Sequence, residues 1–393
     1  MKYKILTLFF IFASTLSFSQ KYFNELFLQD TTIVLKTRDL EKSSHYFYAT
    51  AYKDFVVFTD FSGNILQNDT IPFVFYDVKN KTAKDVFAYT SNEVKYRAKY
   101  SEIYSIAFNG ENLFVSIYNS VLIFRKGDSG YFIDDKINFN SHDLIMANDS
   151  ILVCLEISNP QNNYLIYNVN NKEVIETNDY ILDVPGMIHI GPSGYIDAHG
   201  SSLFFVSANK YKVEKYNFIT KERETIIDYK PEAWKYLTEK DIKKVRRAYP
   251  GGPALSRLGE ILPKKNVVHG IEVINDSTIF VRYLWDYYGN SMELYVDVWT
   301  CKGGVWELSL VGLKYKSMCN LDIPITKNNY PIALNRAFLY SGIGGFYTIT
   351  NREPDNSPIG KKYSDYFDEN QKLLIDQEPL YKLNIFTINE ENN

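Results

Sequence analysis

The 393-residue sequence has little cysteine, little histidine and no excess of basic residues. Its three cysteines are too few for a disulfide scaffold, and none lies near the expected start of the mature chain, so a lipid-modified N-terminal cysteine is not expected. The formal net charge is −4 and no basic tract occurs. Nucleic acid is therefore not an expected partner, because phosphate neutralisation requires clustered Lys and Arg. The five histidines lack metal-ligand spacing, which argues against a structural zinc site.

Long hydrophobic runs are absent after the first residues of the chain. Residues 1–19 are typical of a secretory signal peptide, with Lys2 and Lys4 before an apolar run at 5–16 and a small-x-small cleavage site at 17–19. This run is shorter than the roughly 20 residues that a membrane span requires. The sequence therefore predicts a secreted or periplasmic protein without a membrane span, in which residues 20–393 form a single domain.

Aromatic residues are abundant, with 32 Tyr and 26 Phe, and they favour β-strands. A short phrase recurs along the chain, in which an apolar approach leads to an Asn/Gly/Asp/Ser turn and then to a run of β-formers. Turns of this composition close tight hairpins, so each phrase predicts the turn between two neighbouring strands. The copies lie at residues 108–115, 147–153, 199–206 and 274–281.

A second phrase follows three of these copies, at 121–128, 164–172 and 213–221, where a strand with alternate aromatics ends in a polar turn. Four short antiparallel strands repeating at roughly 40 to 50 residues are typical of a β-propeller. With weaker copies at both ends, the pattern predicts an all-β, six-bladed β-propeller, and a seven-bladed count stays open. The blades are expected near residues 43–98, 99–140, 141–185, 186–267, 268–322 and 323–388.

The ring is expected to close by pairing residues 22–36 with the strand at 381–388, which removes exposed sheet edges. One segment, about 229–266, departs from the repeat and predicts one or two short helices. Thr238 and Asp241 suit a capping box, and the Pro and Gly residues at 250–253 end the helical pattern. Such an excursion is typical of a lid or binding loop, and the alternative is a helical plug on one propeller face.

With its repeat phrases, its signal peptide ending in Ser-Phe-Ser-Gln and its helical insertion, the chain resembles the secreted six-bladed, TolB-like propellers of Bacteroidetes-type bacteria over roughly residues 40–390. The resemblance implies the fold and export but no single activity, because the fold hosts lactonases, lyases and binding modules. It also implies O-glycosylation at Asp-Ser/Thr motifs, which makes Thr70, Ser150 and Ser277 candidates, besides the motif at 30–32. Hairpin-turn chemistry alone would also explain these motifs.

A propeller brings the starts of its innermost strands together around a central channel. A ring of His, Asp, Glu and Arg there could bind a carboxylate, a sugar or a calcium ion, the one cofactor that this pattern suggests. For each of these residues a structural, hydrogen-bonded role is the alternative. The positions expected at blade starts are His45, Tyr46, Glu102, Tyr104, His142, Asp143, Tyr195, Asp197, His269 and Arg336.

Aromatic residues in expected loops favour binding of a glycan, a peptide or a partner protein. Trp234 with Tyr236 lies in the insertion, Trp285 lies in a Trp-Asp-Tyr-Tyr run, and Tyr363 precedes another aromatic pair. Aromatic faces beside carboxylates stack well on sugar rings. The alternative for Trp285 is packing between strands.

The sequence predicts a binding protein more strongly than an enzyme. A Gly-x-Ser-x-Gly motif and an acidic calcium loop are both absent, and a lyase or hydrolase with a His/Asp/Arg funnel is the alternative. Cys301 and Cys319 are candidates for a disulfide, and Cys154 is expected to be a buried free thiol.

Overall fold

The computed structural model describes residues 27–35, 48–59, 70–90, 103–157, 162–180, 195–231, 234–248, 265–288, 291–314, 339–340, 345–351 and 381–388. Regular structure in these residues consists of β-strands and one helix, which confirms the all-β class. The predicted signal peptide, Arg336, Cys319 and Tyr363 lie outside the described residues.

The first described strand, β1 (Phe27–Leu35), is followed by antiparallel meanders in which each strand pairs with the next. Each meander is named here after its first strand. The β2 meander comprises β2 (Tyr48–Tyr52), β3 (Phe55–Thr59), β4 (Thr70–Asp77) and β5 (Thr82–Tyr89). The β6 meander comprises β6 (Ser105–Phe108), β7 (Asn112–Ile117), β8 (Ser120–Lys126) and β9 (Tyr131–Ile137).

The same arrangement of strands continues through the middle of the chain. The β10 meander comprises β10 (Asp143–Asn148), β11 (Ile151–Ile157), β12 (Asn162–Asn168) and β13 (Glu173–Tyr180). The β14 meander comprises β14 (Ile196–His199), β15 (Ser202–Val206), β16 (Lys212–Asn217) and β17 (Arg223–Asp228). The β18 meander comprises β18 (Val267–Asn275), β19 (Thr278–Tyr288), β20 (Ser291–Lys302) and β21 (Val305–Lys314).

The last sheet joins the two ends of the described chain. It has the order β1, β24 (Tyr381–Ile388), β23 (Gly345–Asn351) and β22 (Leu339–Tyr340). The pairing of β1 with β24 runs from Phe27 opposite Ile388 to Leu35 opposite Tyr381, which confirms the predicted closure. Because the outer strand comes from the other end of the chain, this sheet ties the start of the fold to its end.

The recurrent Asn/Gly/Asp/Ser phrases form the hairpin turns between first and second strands, as predicted. In three of these turns an asparagine side chain accepts a backbone N–H from two or three residues further on, namely Asn109, Asn148 and Asn275. The local hydrogen bond mimics a backbone turn and reverses the chain within a few residues. The short polar phrases therefore determine where each hairpin closes.

The first strands lie side by side in the order β22, β2, β6, β10, β14 and β18, and the other strands of each meander extend outward from them. Four-stranded antiparallel sheets with their first strands adjacent and a terminal strand closing the last sheet are the arrangement of a β-propeller. Hydrophobic cores lie between neighbouring meanders. On β7, Leu113 and Val115 face the core shared with the β2 meander, whereas Phe114 faces the core shared with the β10 meander.

Both faces of an inner strand are thus buried, so its sequence is almost continuously apolar rather than alternating. Cys154 lies on the inner strand β11 and is buried as a free thiol, as the sequence predicted. Burial raises the pKa of this thiol well above its usual range, so it remains protonated and packs as a small apolar group.

Two meanders are also joined at their outer strands. β5 pairs in parallel with β9 over Ala88 opposite Tyr131 and Tyr89 opposite Phe132, which merges the β2 and β6 meanders into one eight-stranded sheet. The rings of Tyr89 and Phe132 stack with centroids 4.9 Å apart. A Cβ atom at Gly130 would lie 2.6 Å from the carbonyl oxygen of Phe87, so glycine allows this close approach of the two strands.

The insertion includes one described helix, α1 (Glu239–Ala248). The predicted capping box is confirmed, since the backbone N–H of Thr238 donates to Asp241 Oδ2 at 2.9 Å and the N–H of Asp241 donates to Thr238 Oγ1 at 3.3 Å. Asn209 fixes the approach to the helix through both its amide atoms, which bond to the backbone N–H and carbonyl of Leu237. The described part of the insertion therefore packs against the propeller.

Candidate functional site

Antiparallel meanders sort the loops onto two faces. First strands run side by side, so their starts define one face, called here the start face, which also carries the turns between second and third strands and the connections between meanders. The hairpin turns after the first strands lie on the opposite face, called the turn face. The connection that contains α1 links β17 to β18, so it belongs to the start face.

On the start face, Tyr104 and His142 stand directly before β6 and β10. Their backbone N–H groups extend the two ladders by one residue, donating to Ser116 O at 2.9 Å and to Leu155 O at 2.7 Å. Both side chains are half-buried, and their rings stack with centroids 5.3 Å apart and planes 24° apart. The structure thus brings together two residues that the sequence placed at separate blade starts.

An exposed aromatic residue lies on the same face and in the same meander. Tyr118 occupies the turn between β7 and β8 and is 54% exposed, beside Asn119, whose φ is +57°. Asparagine tolerates this left-handed conformation better than most residues. The turn projects Tyr118 toward solvent, where a bound molecule could contact its ring.

A chain of amide and carboxylate groups runs from this turn to the β10 meander. Asn119 donates its backbone N–H to Asn140 Oδ1 at 3.3 Å, and the amide of Asn140 donates to Glu156 Oε1 at 3.3 Å. The amide of Asn163 donates to Glu156 Oε2 at 2.8 Å. All three polar side chains, Asn140, Glu156 and Asn163, are half-buried and so retain partial access to solvent.

A buried polar layer supports this cluster from below. Ser105 Oγ donates to Asp143 Oδ1 at 3.1 Å, and the backbone N–H of Leu144 donates to the same oxygen at 2.9 Å. Ser116 Oγ donates to the carbonyl of Ser141, and Ser141 Oγ donates to the carbonyl of Asp143 at 2.7 Å. These bonds fix the backbone on both sides of His142.

Asp143 and Asp197 each connect two neighbouring meanders. Asp143 is buried on β10 and accepts a hydrogen bond from the hydroxyl of Ser105 on β6. Asp197 is buried on β14 and accepts the backbone N–H of Val273 on β18 at 2.7 Å. Each carboxylate joins two neighbouring first strands. This arrangement corresponds to the structural alternative that the sequence left open for both residues.

Trp234 is not a surface residue, so the expectation of an exposed ring is wrong. Its side chain is 6% exposed and lies within the core shared by the β10, β14 and β18 meanders, whereas its neighbour Tyr236 is exposed. The ring packs edge-on against Tyr211 at a centroid distance of 5.4 Å. The insertion uses this indole as an anchor because burying a large aromatic ring is strongly favourable.

The remaining predicted site residues are only partly described. His269 lies on β18 and Trp285 on β19, and Arg336 is outside the described residues. Cys301 is half-buried on β20, and because Cys319 is outside the described residues the disulfide between them stays a prediction.

The candidate glycosylation positions lie in or beside turns. Asn148 Oδ1 accepts the N–H and the hydroxyl of Ser150, and Asn275 Oδ1 accepts the same two groups of Ser277. Thr70 is the first residue of β4. The turn chemistry accounts for the local sequence, and glycosylation stays a prediction.

Within the described part of the chain, no group of three or more His, Cys, Asp or Glu side chains is arranged to hold a metal ion. The calcium ion suggested by the sequence stays a prediction. None of the helices described is long and apolar enough to cross a bilayer.

A buried carboxylate that the sequence analysis missed lies between the β14 and β18 meanders. Asp297 on β20 accepts hydrogen bonds from Tyr211 Oη at 2.8 Å, Tyr283 Oη at 3.1 Å and the backbone N–H of Gly312 at 2.7 Å. The signal was a single acid within the apolar run 294–299. The cluster around Tyr118 gave no comparable signal, because its asparagines resemble ordinary turn residues.

Fold and loop placement define a β-propeller with an aromatic and polar cluster on its start face. No protein-family model and no curated protein matches the chain. Among solved structures, it is similar to a Bacteroides fragilis protein named for inferred export, with 11% identity and a TM-score of 0.55, covering 93% of this chain and 96% of that one.

A member of the DUF4221 family from Bacteroides vulgatus is similar over 93% of this chain and 99% of its own length, with 12% identity and a TM-score of 0.50. At such identities the likeness concerns the fold alone.

Proposed function

We propose that the chain is an exported, six-bladed, TolB-like β-propeller that binds a ligand on its start face. The five complete meanders and the sheet closed by β1 support six blades. The two Bacteroides structures, one of which is named for inferred export, agree with a secreted or periplasmic location. N-terminal sequencing of protein secreted by the native host is expected to begin at Gln20, and an intact residue 1 would contradict export by signal cleavage.

The ligand that this cluster fits best is a glycan. The observation that carries the proposal is the stacked pair Tyr104 and His142 on the face that also carries exposed Tyr118 and the Asn140–Glu156–Asn163 chain of hydrogen bonds. Sugar rings present apolar faces that stack on aromatic rings and hydroxyls that exchange hydrogen bonds with amides and carboxylates. Pockets with a few convergent polar groups of this kind provide both orientation and specificity.

A thermal-shift screen of the mature protein against bacterial and plant polysaccharides and peptidoglycan fragments tests the proposal. Ligand at about 100 times its Kd adds roughly 2.7 kcal/mol of stability, which gives a shift of several degrees. Each ligand is also tested with added calcium and with a chelator, so that metal-dependent binding is distinguished from metal-independent binding.

The binding variants are Tyr118→Ala and His142→Ala, and the control is Ile219→Ala. Ile219 is 64% exposed in the turn between β16 and β17, on the turn face. Both binding variants are expected to lose the ligand-dependent shift, whereas the control retains it. A shift unaffected by either variant would contradict this site, and a response only to peptides or a partner protein would contradict the glycan.

Catalysis of the lyase or hydrolase type is the second candidate, because the stack places an imidazole against a phenol, two groups that can act as base and acid. Incubation with each glycan that binds, followed by mass analysis of the products, tests it. Cleavage that is lost in both His142→Gln and Tyr104→Phe would support catalysis, and unchanged glycan would reject it.

A further inference from the structure

The insertion concentrates positive charge on the start face. Among the described side chains between residues 230 and 244, five lysines are exposed but only one acid, Glu239. The whole chain has a formal net charge of −4, so this local excess of positive charge runs against the overall composition. The exposed lysines are Lys230, Lys235, Lys240, Lys243 and Lys244.

Three of these lysines lie along one side of α1. Lys243 and Lys244 follow Lys240 by three and four residues, a spacing that places side chains on the same side of a helix. Among the described residues, the ion pair at this helix joins Lys265 to Asp241 at 3.2 Å, and the three lysines form none. Like charges at this spacing destabilise a helix, so a bound anion would relieve their repulsion.

The helix is fixed to the propeller on its other side. Ile242 packs against the core that the β10, β14 and β18 meanders share. Before the helix, the backbone N–H of Lys235 donates to Asn266 Oδ1 at 2.7 Å, and the N–H of Asn266 donates to the carbonyl of Lys235 at 3.0 Å. The lysines are therefore held on an ordered backbone before any ligand binds, which lowers the entropic cost of binding.

An acidic polysaccharide fits this surface better than a bilayer or a nucleic acid. A helix that binds a bilayer inserts its apolar side, whereas Ile242 on the apolar side of α1 packs on the propeller. Nucleic acid binding depends on many phosphate contacts, which an acidic chain as a whole disfavours. In an acidic polysaccharide the charges are attached to sugar rings, and the exposed ring of Tyr236 in the same segment can stack on such a ring.

We propose that the glycan bound on the start face is acidic, and that Lys240, Lys243 and Lys244 bind its anionic groups. The inference rests on the proposed function, to which it adds the class of glycan and a second region of contact. The cluster around Tyr104 and His142 stacks on sugar rings, while α1 supplies charge complementarity. Such complementarity selects among partners and speeds their association.

Two matched pairs of polymers test the class of glycan. Binding to the mature protein is measured by biolayer interferometry for polygalacturonate and its carboxyl-reduced form, and for dextran sulfate and dextran. Exposed ion pairs each strengthen binding a few-fold, so we expect an acidic polymer to bind about tenfold more tightly than its neutral form. The preference is expected to shrink between about 50 mM and about 300 mM sodium chloride, because salt screens exposed charges.

The outcomes separate this inference from the glycan site itself. Equal binding of acidic and neutral polymers, or binding of neutral glycans alone, would overturn the acidic class and leave the glycan site in place. Absence of binding to every glycan, neutral or acidic, would overturn both. Tighter binding to single-stranded DNA or to phosphatidylglycerol vesicles than to either acidic polymer would also overturn the inference.

A triple variant of α1 tests the assigned residues. Lys240→Gln, Lys243→Gln and Lys244→Gln together remove three charges, and glutamine has nearly the helix propensity of lysine. The variant is expected to bind an acidic polymer about tenfold more weakly and to keep its affinity for the neutral form. An unchanged preference for the acidic polymer would overturn the role of α1.

The matched control removes three exposed lysines from the turn face, through Lys79→Gln, Lys81→Gln and Lys302→Gln. We expect it to keep the preference, and an equal loss in the control would mean that only overall charge matters. Tyr118→Ala is expected to weaken binding of the same acidic polymer. Binding that Tyr118→Ala leaves intact but the α1 variant abolishes would contradict one glycan that contacts both regions.

Discussion

The carboxylate of Asp197 on β14 accepts the backbone N–H of Val273 on the neighbouring first strand β18, with Oδ2 and N 2.7 Å apart. Oδ1 of the same side chain accepts the N–H of Ala198 at 2.7 Å. A buried N–H left without a partner is destabilising by about 1–3 kcal/mol. Asp197→Ala is therefore expected to lower the free energy of unfolding by about that amount, measured by urea denaturation. Unchanged stability combined with lost ligand binding would instead make Asp197 a ligand residue.

A buried ion pair lies within the same meander as Val273. Glu272 Oε1 on β18 is 2.7 Å from Arg282 Nε on β19, and both side chains are 3% exposed. Removal of one partner leaves a buried charge uncompensated and is destabilising by about 3–5 kcal/mol. Glu272→Gln is expected to show a loss of this size in urea denaturation, and the double variant Glu272→Gln with Arg282→Met is expected to lose less than the single one. A double variant with additive losses would contradict a direct interaction.

Stability is expected to depend on pH through Asp297. Its pKa is raised from 3.8 to about 6 by burial, so the folded chain binds this proton more tightly than the unfolded chain. The contribution is fully present below about pH 4 and is lost as pH rises through about 6, with a total of about 3 kcal/mol. Urea denaturation at several pH values is expected to show this slope in the wild type and not in Asp297→Asn. Parallel curves for the two proteins would contradict the shift.

Gly130 is expected to tolerate no side chain without separation of β5 from β9. A Cβ atom there would meet the carbonyl oxygen of Phe87 at 2.6 Å and the ring of Tyr89 at 2.7 Å. Because backbone cannot yield as a flexible side chain does, Gly130→Ala is expected to increase amide hydrogen exchange at Ala88 and Tyr89. Gly200→Ala, at a glycine whose φ of +61° strains any side chain but where no atom lies within 4 Å of such a Cβ, serves as the control for backbone strain without a steric clash. Exchange in β5 that is equal in the two variants would contradict the steric explanation.

The helix cap predicts a local effect in the insertion. Thr238→Ala removes the hydroxyl that accepts the N–H of Asp241, and loss of such a cap is destabilising by about 1 kcal/mol. Hydrogen exchange is expected to increase within α1 while the meanders retain their protection. Thr238→Ser keeps the hydroxyl and is the matched control. Faster exchange throughout the propeller would mean that the cap supports more than the helix.

Much of the fold could be predicted because its signals are local. The turn phrases at 108–115 and 274–281, the capping box at Thr238 and the closing strand β24 all depend on neighbouring residues or on alternating pattern. The candidate site was predicted only in part. The sequence indicated His142 as a candidate, but not its contact with Tyr104. These two residues lie 38 positions apart in the chain, and no local pattern encodes such a contact.

For Trp234, the sequence predicted an exposed side chain that the structure shows to be buried. An indole in a polar, helix-forming insertion suggested an exposed binding residue, yet the ring is buried against Tyr211 and Tyr283. Exposure depends on what packs over a side chain, and the sequence around Trp234 does not contain that information. For the same reason, the sequence left open whether Asp143 and Asp197 bind a ligand or have a structural role, and only the structure shows their hydrogen bonds to neighbouring first strands.

By itself, the amino-acid sequence determined the strand pattern, the hairpin turns, the helix cap and the free buried thiol of Cys154. These features depend on interactions within a few residues or on the alternation of apolar side chains, both of which are written along the chain. Only the tertiary structure decided that Asp297 lies between phenols, that Trp234 anchors the insertion and that Tyr104 stacks on His142. Each of these arises where separate meanders meet, because packing between sheets, rather than local propensity, places side chains distant in sequence against one another.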